Sequence, residues 1–481
     1  MRNGKLFRQF ASVGLGSIIN MVIGLLTTPI ITRLVEPSDY GQLSLFNTYA
    51  NITMMIVGLG FDQVLLRYYY QNEDLSYKQR LLSKCLFLPV LIFCILAIPG
   101  ALIYYLTGQI TDGKELFVFV MFLIEVMSLL INRISILLVR LNGKANLYSM
   151  LSVIQKITYV AIAIPLILII RRDFFIILIC ATFLSYFTPT IISIVTERKV
   201  WRFNLTDENP TIPYKELLKY GLPMLLSSSI YLFFQATDKI CLRYFCDYYD
   251  VGIYASAASL MSIIAIVRTS FTTVWTPAAV EQYEKNPKDK SFFIRINQII
   301  TLLMFLFGLS LMVSKDLIVL LLGEKYREAS SILPYLMFQP IMYTISETTV
   351  VGLIFTKKSN MQLVASAGAC VFNLILNICL IPFLGAQGAS ISTGVSYIVF
   401  YMLRTILSNR FFHVEYKQGK FILATVITIA YAVFSALTTF SIWTVPLYIV
   451  CFIIVAVLYK NVISEVVKML KSKLKIKNER K

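Results

Sequence analysis

Long apolar runs separated by short polar turns cover almost the whole chain. The first run, Gln9 to Thr32, contains no charged residue over 24 positions, and this length is enough to cross a bilayer with some tilt. The predicted apolar segments are 9–32, 42–66, 85–106, 115–139, 147–170, 174–196, 217–236, 251–275, 292–314, 330–356, 361–382, 388–407, 421–440 and 444–459. The pattern predicts an all-α, polytopic membrane protein with about fourteen transmembrane helices.

One face of the first predicted helix differs from the rest of it. This face carries Gly16, Asn20, Gly24 and Thr27, at spacings of four, four and three residues. These spacings place the four side chains on one side of a helix. A stripe of small and weakly polar residues in a membrane helix indicates close packing on a neighbour or contact with a wet cavity.

The same pattern returns 211 residues later, without a gap. The stripe positions then fall on Ser227, Tyr231, Gln235 and Asp238. A second similarity, in which Lys144-Ala145-Asn146 resembles Lys358-Ser359-Asn360, has an offset of 214. Internal repeats are a common architecture of membrane transporters. We therefore predict an N-terminal six-helix lobe at 1–205, a parallel C-terminal six-helix lobe at 206–412, and two appended helices with a basic tail at 413–481.

The distribution of positive charge predicts the orientation. With both termini on one side, the loops on that side carry 32 Lys and Arg residues and the opposite loops carry 9. Cytoplasmic loops are enriched in Lys and Arg, so both termini are predicted to be cytoplasmic. This bias also accounts for the net charge of +18 without any nucleic acid as partner. The tail from Lys468 to Lys475 alternates Lys with apolar residues, which indicates either contact with anionic lipid or a solvated end.

Composition agrees with a membrane protein and excludes several kinds of site. Hydrophobic residues make up 57% of the chain and charged residues 15%, whereas soluble domains carry about 25% charge. Eight cysteines include no CxxC pair, and the single histidine, His413, excludes a metal site built from several histidines. A run resembling a phosphate-binding loop has Glu115 where Ser or Thr would be required. We therefore expect no metal, no cofactor and no ATP, and any transport would be secondary or facilitated.

Six of the charged residues within the predicted spans are candidates for function, because a charge is costly in a membrane. The cations Arg133, Lys156 and Arg268 are candidates for binding an anionic substrate, with Lys156 on a stripe of polar residues and Arg268 on a face with Thr272 and Trp275. The carboxylates Asp62, Glu125 and Glu347 are candidates for coupling transport to H⁺ or Na⁺. The alternative for each is a structural ion pair that locks two helices together.

Asp238 is a fourth candidate for ion coupling. It ends the predicted helix 7 and shares a face with Tyr231 and Gln235. A carboxylate there could bind a proton or Na⁺, or pair with a cation in a cavity. The alternative is an interface residue at the end of the helix.

Two stretches of sequence resemble a known family. The charge-free first helix followed by Thr32-Arg33-Leu34-Val35-Glu36-Pro37-Ser38-Asp39-Tyr40-Gly41 resembles the opening signature of bacterial polysaccharide flippases. The turn Leu384-Gly385-Ala386-Gln387-Gly388-Ala389 resembles the glycine- and alanine-rich turn into helix 12 of the same family. These flippases transport O-antigen and capsule repeat units and belong to the multidrug/oligosaccharidyl-lipid/polysaccharide exporter superfamily.

The resemblance implies a function. It implies two lobes facing a cavity lined by helices 1, 2, 7 and 8, and alternating access that moves an undecaprenyl-pyrophosphate-linked oligosaccharide from the inner to the outer leaflet. The cations would bind the pyrophosphate, and Asn20, Tyr231 and Gln235 would bind the sugar. We expect the bacterial cytoplasmic membrane as the location and a polysaccharide polymerase as a functional partner.

Three other functions stay open at this point. A lipid II flippase would also need a cationic cavity. A drug antiporter of the same superfamily often has a carboxylate in helix 1, which this chain lacks. A membrane enzyme that polymerises or ligates polysaccharide usually needs a large outer loop, and the outer loops here are short. We therefore expect a transporter and no enzyme.

Overall fold

The protein is almost entirely helical. The computed structural model describes residues 19–20, 22–106, 113–202, 212–261, 264–465 and 467–468, apart from the side chains of 102–106, 227–228, 231, 265–266 and 359. Within these ranges no strand occurs, which confirms the predicted all-α class. The helices are α1 (Val22–Leu34), α2 (Pro37–Gly58), α3 (Phe61–Tyr68), α4 (Leu75–Leu106), α5 (Gly113–Leu141), α6 (Ala145–Ile170), α7 (Phe174–Thr196), α8 (Tyr214–Phe245), α9 (Tyr248–Met261), α10 (Ala265–Lys285), α11 (Ser291–Val313), α12 (Lys315–Val319), α13 (Ala329–Leu336), α14 (Phe338–Thr349), α15 (Val351–Phe355), α16 (Ser359–Asn409), α17 (Gln418–Leu437) and α18 (Thr444–Leu458).

Many of these helices have the length and composition of membrane spans. Seven of the described helices qualify individually, and the bent pair α2 and α3 makes an eighth. The helices α1 and α18 are shorter and also apolar. One of the seven, α16, covers two predicted segments, 361–382 and 388–407. Gly385 lies between them with non-helical dihedral angles (φ 53°, ψ −134°) and kinks the helix there. Each of the fourteen predicted segments therefore overlaps described helix, as expected for a polytopic membrane protein.

Two predicted segments are single in the sequence pattern and broken in the structure. The segment 42–66 divides into α2 and α3, and the segment 330–356 divides into α13, α14 and α15. The break between α2 and α3 bends the chain by 51°. It places Leu59 (φ 48°) and Gly60 (φ 70°) in the left-handed region, which glycine adopts without strain and leucine rarely adopts.

The chain forms two compact units, Met1–Phe233 and Phe234–Lys481, with the boundary inside α8. In the first unit, α7 packs on α2, α5 and α6, and α3 packs on α4 and α5. One core in this unit joins Ile31, Phe46, Ala163 and Leu178, and a second surrounds Phe61 at the start of α3. The predicted lobe boundary, between 205 and 206, lies outside the described residues and stays a prediction.

The second unit includes the two C-terminal helices. Here α14 packs on α10, α11 and α16, and α13 packs on α9, α16 and α17. The helices α17 and α18 pack on each other and on α11. Ser435 donates a hydrogen bond to the Met312 carbonyl at 3.2 Å, and the hydroxyls of Ser310 and Tyr448 lie 3.0 Å apart. The two helices predicted as appended are thus packed into the second unit.

Candidate substrate and ion-binding sites

Lys156 lies on α6 beside the polar stripe of α1. One turn before it, Ser152 Oγ accepts a hydrogen bond from Asn20 Nδ2 at 2.6 Å, while Asn20 Oδ1 is buried without a partner. Gly24 leaves room for the ammonium group, because a Cβ at this position would lie 3.4 Å from Lys156 Nζ. Lys156 is exposed, and within the described ranges its side chain has no ion pair and no hydrogen bond. A predicted membrane span therefore presents an unpaired cation next to an unpaired amide oxygen.

Arg133 and Asp62 are brought together by the fold. Arg133 lies on α5 and Asp62 in the first turn of α3. Arg133 Nη2 lies 2.7 Å from Asp62 Oδ2, and Arg133 Nε donates to the same oxygen at 2.8 Å. The sequence pattern predicted Arg133 as a substrate ligand and Asp62 as an ion-coupling residue. It did not predict that the two form an ion pair.

Glu125 has no partner at all among the described residues. Its side chain on α5 is 0% exposed, and neither carboxyl oxygen accepts or donates a hydrogen bond. Asn132, seven residues later on α5, ties α5 to α7 by donating to the Tyr186 carbonyl at 3.1 Å and to Thr190 Oγ1 at 2.9 Å. Burying an ionised carboxylate without partners is very costly, so the neutral carboxylic acid is the form that fits this position.

Asp238 lies in a cage of neutral hydrogen-bond donors. It is 2% exposed, and α8 continues past it to Phe245, so it does not end the helix as the sequence pattern predicted. Asn373 and Asn377 donate to Oδ1 at 3.1 and 2.8 Å. Thr393 donates to Oδ2 at 2.6 Å, and the Tyr254 hydroxyl donates to the same oxygen. The donors come from α9 and from both parts of α16, so the carboxylate connects three helical segments of the second unit.

Glu347 is held in a buried ion pair. Arg404 Nη1 lies 2.9 Å from Glu347 Oε1, and the two side chains are 6% and 10% exposed. The same nitrogen donates to Ser346 Oγ at 2.6 Å. The Arg404 guanidinium also lies 5.0 Å from the ring centre of Phe400. This arrangement matches the structural alternative for Glu347, an ion pair that locks α14 to α16.

Arg268 stacks on an aromatic ring. Its guanidinium carbon lies 4.3 Å from the ring centre of Tyr343, and both residues are partly exposed. Trp275, expected on the same face, is 4% exposed and donates from Nε1 to the Glu347 carbonyl at 3.0 Å. Trp275 also stacks on Phe271 and belongs to the core. The expected polar and aromatic face therefore ends before Trp275, and Tyr343 on α14 supplies the aromatic contact.

The remaining candidates lie on α8. Gln235 is exposed, one turn before the buried Asp238. The side chain of Tyr231 lies outside the described residues, as do Gly16, Ser227 and the tail from residue 469 onward. Within the described ranges no group of three His, Cys, Asp or Glu side chains is arranged to hold a metal ion.

Sequence reasoning missed the groups that complete two of these arrangements. Asn373 and Asn377 are one turn apart in an apolar segment, and this spacing is a signal that the sequence carries. Arg404 lies three residues before the end of the predicted segment 388–407, where a cation is typical of the loop that follows. Tyr254 and Thr393 carry no local signal, because hydroxyl residues are common in membrane helices.

These features define a class of protein. The apolar helices have the length and composition of membrane spans, and several ionisable side chains lie within them, so the chain is a multi-pass membrane protein with candidate binding groups inside its spans. A profile of the family described as polysaccharide biosynthesis protein matches residues 6–282, and the chain belongs to this family.

Solved structures share the fold. A lipid II flippase, MurJ, in an inward closed conformation superposes with a TM-score of 0.68 at 14% identity, covering 94% of this chain and 99% of the flippase. An inward-facing multidrug resistance MATE family transporter of the MOP superfamily superposes with a TM-score of 0.57 at 16% identity, covering 82% of this chain and 94% of the transporter. The family resemblance that the sequence signature indicated is thereby confirmed by the family match, and the chain shares its fold with these two proteins.

A curated relative matches part of the chain. The uncharacterized membrane protein MJ1068 of Methanocaldococcus jannaschii is 24% identical over 225 residues, which is 45% of this chain. The alignment spans 43% of that relative's length.

Proposed function

We propose that this protein moves a lipid-linked oligosaccharide from the inner to the outer leaflet of the bacterial cytoplasmic membrane, for the synthesis of a surface polysaccharide. The carrier lipid is undecaprenyl pyrophosphate, and the mechanism is alternating access. The protein performs no covalent chemistry. The family match to polysaccharide biosynthesis proteins and the fold shared with a lipid II flippase support this proposal.

The unpaired ammonium of Lys156 is the observation that carries the proposal. A cation within a membrane span is costly unless it serves a ligand or lies in a hydrated site. A pyrophosphate is a multiply charged anion that loses hydration when it leaves the membrane surface. Lys156 replaces part of that hydration with a charge-assisted hydrogen bond. Asn20, which donates a hydrogen bond to Ser152 one turn before Lys156, offers its unpaired Oδ1 to a sugar hydroxyl.

Arg268 supplies a second anion-binding group in the other unit. Stacking on Tyr343 fixes the plane of the guanidinium, so less conformational entropy is lost when it binds two oxygens of a phosphate. Gln235 and Tyr231, on α8, supply further hydrogen-bonding groups for the oligosaccharide.

Transport is coupled to a cation at Asp238 in this proposal. The asparagine, threonine and tyrosine side chains around it carry oxygen atoms as well as donors. When they reorient, these oxygens coordinate Na⁺ next to the carboxylate, or accept a hydrogen bond from the carboxyl group once it is protonated. Glu125 is the second coupling candidate, because its partnerless carboxyl group is suited to bind a proton. Asp62 and Glu347 are less suited, because arginines neutralise both.

The surroundings of the protein follow from the same reasoning. Both termini lie in the cytoplasm, as the charge bias indicates. The basic tail contacts anionic lipid of the inner leaflet. A polysaccharide polymerase receives the product on the outer face.

The test is a flipping assay in proteoliposomes with the full-length protein. Lys156→Gln should reduce the rate of leaflet exchange of an undecaprenyl-pyrophosphate oligosaccharide, and Lys156→Arg should retain much of it. Losing one charge-assisted hydrogen bond costs about 1.5–3 kcal/mol, roughly a ten- to hundredfold loss of affinity. The matched control is Lys288→Gln, an exposed lysine in a loop. Normal flipping by Lys156→Gln would refute the role of Lys156.

The same vesicles separate the rival functions. Flipping of lipid II in place of the oligosaccharide would identify a lipid II flippase, and export of cationic drugs would identify an antiporter. Asp238→Asn should abolish the dependence of the flipping rate on an imposed H⁺ or Na⁺ gradient while protein still reaches the membrane. Unchanged gradient dependence in Asp238→Asn would exclude this carboxylate as the coupling site.

A further inference from the structure

A pocket in the first unit combines apolar walls with one ion pair. The apolar lining comes from Met54, Met55, Leu130, Ile134, Leu225 and Leu232, and the charged lining comes from Asp62 and Arg133. The pocket is a small cleft whose lining combines apolar surface with one guanidinium, and this is the chemistry that the junction between a hydrocarbon chain and an anionic head requires.

The break between α2 and α3 builds this pocket. Gly58 and Gly60 line it directly, and the 51° bend turns α3 away from the axis of α2. The bend places Asp62 in the first turn of α3, opposite Arg133 of α5. Gly60 approaches the backbone of Gly221 so closely that no Cβ would fit at either position. The geometry of the pocket is therefore fixed by backbone contacts.

The ion pair is asymmetric in its exposure. The side chain of Arg133 is 53% exposed, whereas that of Asp62 is 17% exposed. Both bonding nitrogens of Arg133 contact Oδ2 of Asp62, and Gln63 Nε2 also donates to this oxygen at 3.0 Å. A guanidinium carries five N–H donors, so Arg133 keeps donors for a second anion at the mouth of the pocket.

We propose that Arg133 receives the phosphate at the head of a polyprenyl-linked substrate, and that Asp62 is the resident carboxylate that gives up Arg133 when the substrate binds. The apolar walls contact the first carbons of the polyprenyl chain next to the phosphate. This inference rests on the proposed function and locates the entry of its substrate.

The depth of the site agrees with a lipid phosphate. Arg133 lies eight residues before the end of α5 at Leu141, and Asp62 lies six residues before the end of α3 at Tyr68. At 1.5 Å per residue, these distances are about 12 and 9 Å along the helices. Both ends are on the side that the charge bias predicts to be cytoplasmic, where a substrate of the inner leaflet would enter.

Asp62 has a definite role in this exchange. While the site is empty, its carboxylate keeps Arg133 paired at membrane depth. An arriving phosphate offers more charge and more acceptor oxygens, and it binds a guanidinium through two parallel hydrogen bonds. Asp62 thus competes with the substrate, and its removal should tighten binding. An exposed ion pair of this kind is expected to compete by about two- to fivefold.

The experiment measures binding to the full-length protein in nanodiscs of zwitterionic lipid by calorimetry. The probes are farnesyl phosphate, farnesol and inorganic phosphate. Asp62→Asn should bind farnesyl phosphate about two- to fivefold more tightly than the wild type. Arg133→Gln should bind it roughly ten- to hundredfold more weakly. Farnesol should respond to neither change, because it lacks the phosphate.

Further arms separate the lipid from free phosphate and the site from its fold. Leu232→Trp fills the pocket and should weaken binding of farnesyl phosphate, while inorganic phosphate, which needs only Arg133, keeps its affinity. The matched control is Glu197→Gln, which breaks the Lys144–Glu197 ion pair of the same unit (2.8 Å) and should leave binding unchanged. Melting temperatures report whether each variant is folded. If Asp62→Asn does not fold, Asp62→Glu replaces it. Because Asp62→Glu keeps the competing carboxylate, its affinity for farnesyl phosphate should be at or below that of the wild type.

Two outcomes overturn the inference. Asp62→Asn could bind farnesyl phosphate no better than the wild type, or Arg133→Gln could bind it equally well. In either case the pair is a structural lock. Failure of the proposed function gives a different result. In that case the affinities of the variants for farnesyl phosphate would follow the expected order, but vesicles with the wild-type protein would show no flipping of the oligosaccharide.

Discussion

The buried ion pair between Arg404 and Glu347 offers a direct test of how the second unit is stabilised. The perturbation is Arg404→Met, which keeps most of the side-chain volume and removes the charge. Glu347 would then stay at 10% exposure without its partner, and Ser346 would lose its donor at 2.6 Å. Breaking a buried pair by removing one member costs about 3–5 kcal/mol. We expect the free energy of unfolding to fall by that amount.

A double-mutant cycle separates the pair from its surroundings. Glu347→Gln removes the carboxylate, and the double variant leaves no unpaired charge, so it should be more stable than Arg404→Met alone. Lys285→Met is the control, because its pair with Glu281 is exposed, with side chains 69% and 65% accessible, and exposed pairs contribute about 0–1 kcal/mol. Thermal unfolding of the purified proteins in detergent, monitored by size-exclusion chromatography, ranks the wild type and the four variants. The reasoning would be refuted if Arg404→Met were as stable as the wild type. It would also be refuted if the double variant were no more stable than Arg404→Met alone.

Two further predictions concern packing and topology. Gly221→Ala should lower the melting temperature, because its Cβ would lie 2.6 Å from the Leu59 carbonyl oxygen, whereas Gly100→Ala, with open space around it, should be neutral or slightly stabilising; equal melting temperatures would contradict the close approach. A cysteine at Lys325 should react with a membrane-impermeant thiol reagent from outside intact cells, and one at Lys78 should react only after permeabilisation; the reverse pattern would invert the orientation.

The unpaired Lys156 and the caged Asp238 show why single residues could be recognised in the sequence but their surroundings could not. A charge in an apolar run is visible locally, because its cost in the membrane does not depend on the partner. The partner itself is chosen through space. Asp238 bonds to Thr393, 155 residues away, and Arg133 bonds to Asp62, 71 residues away. Neither distance has a signature in the local sequence pattern.

The sequence by itself determined the fold class, the positions of the apolar segments and the family resemblance. Hydropathy over about twenty residues reports whether a segment belongs in a bilayer, and this property is local. The tertiary structure alone decided where helices break, as at Leu59 and Gly60, and which charged groups are paired. Trp275 illustrates the limit: its spacing placed it on the face of Arg268, but packing against Phe271 put it in the core. The sequence shows which residues share a face of a helix, but helix packing decides which of these faces is buried, because the free energy of a contact depends on both surfaces.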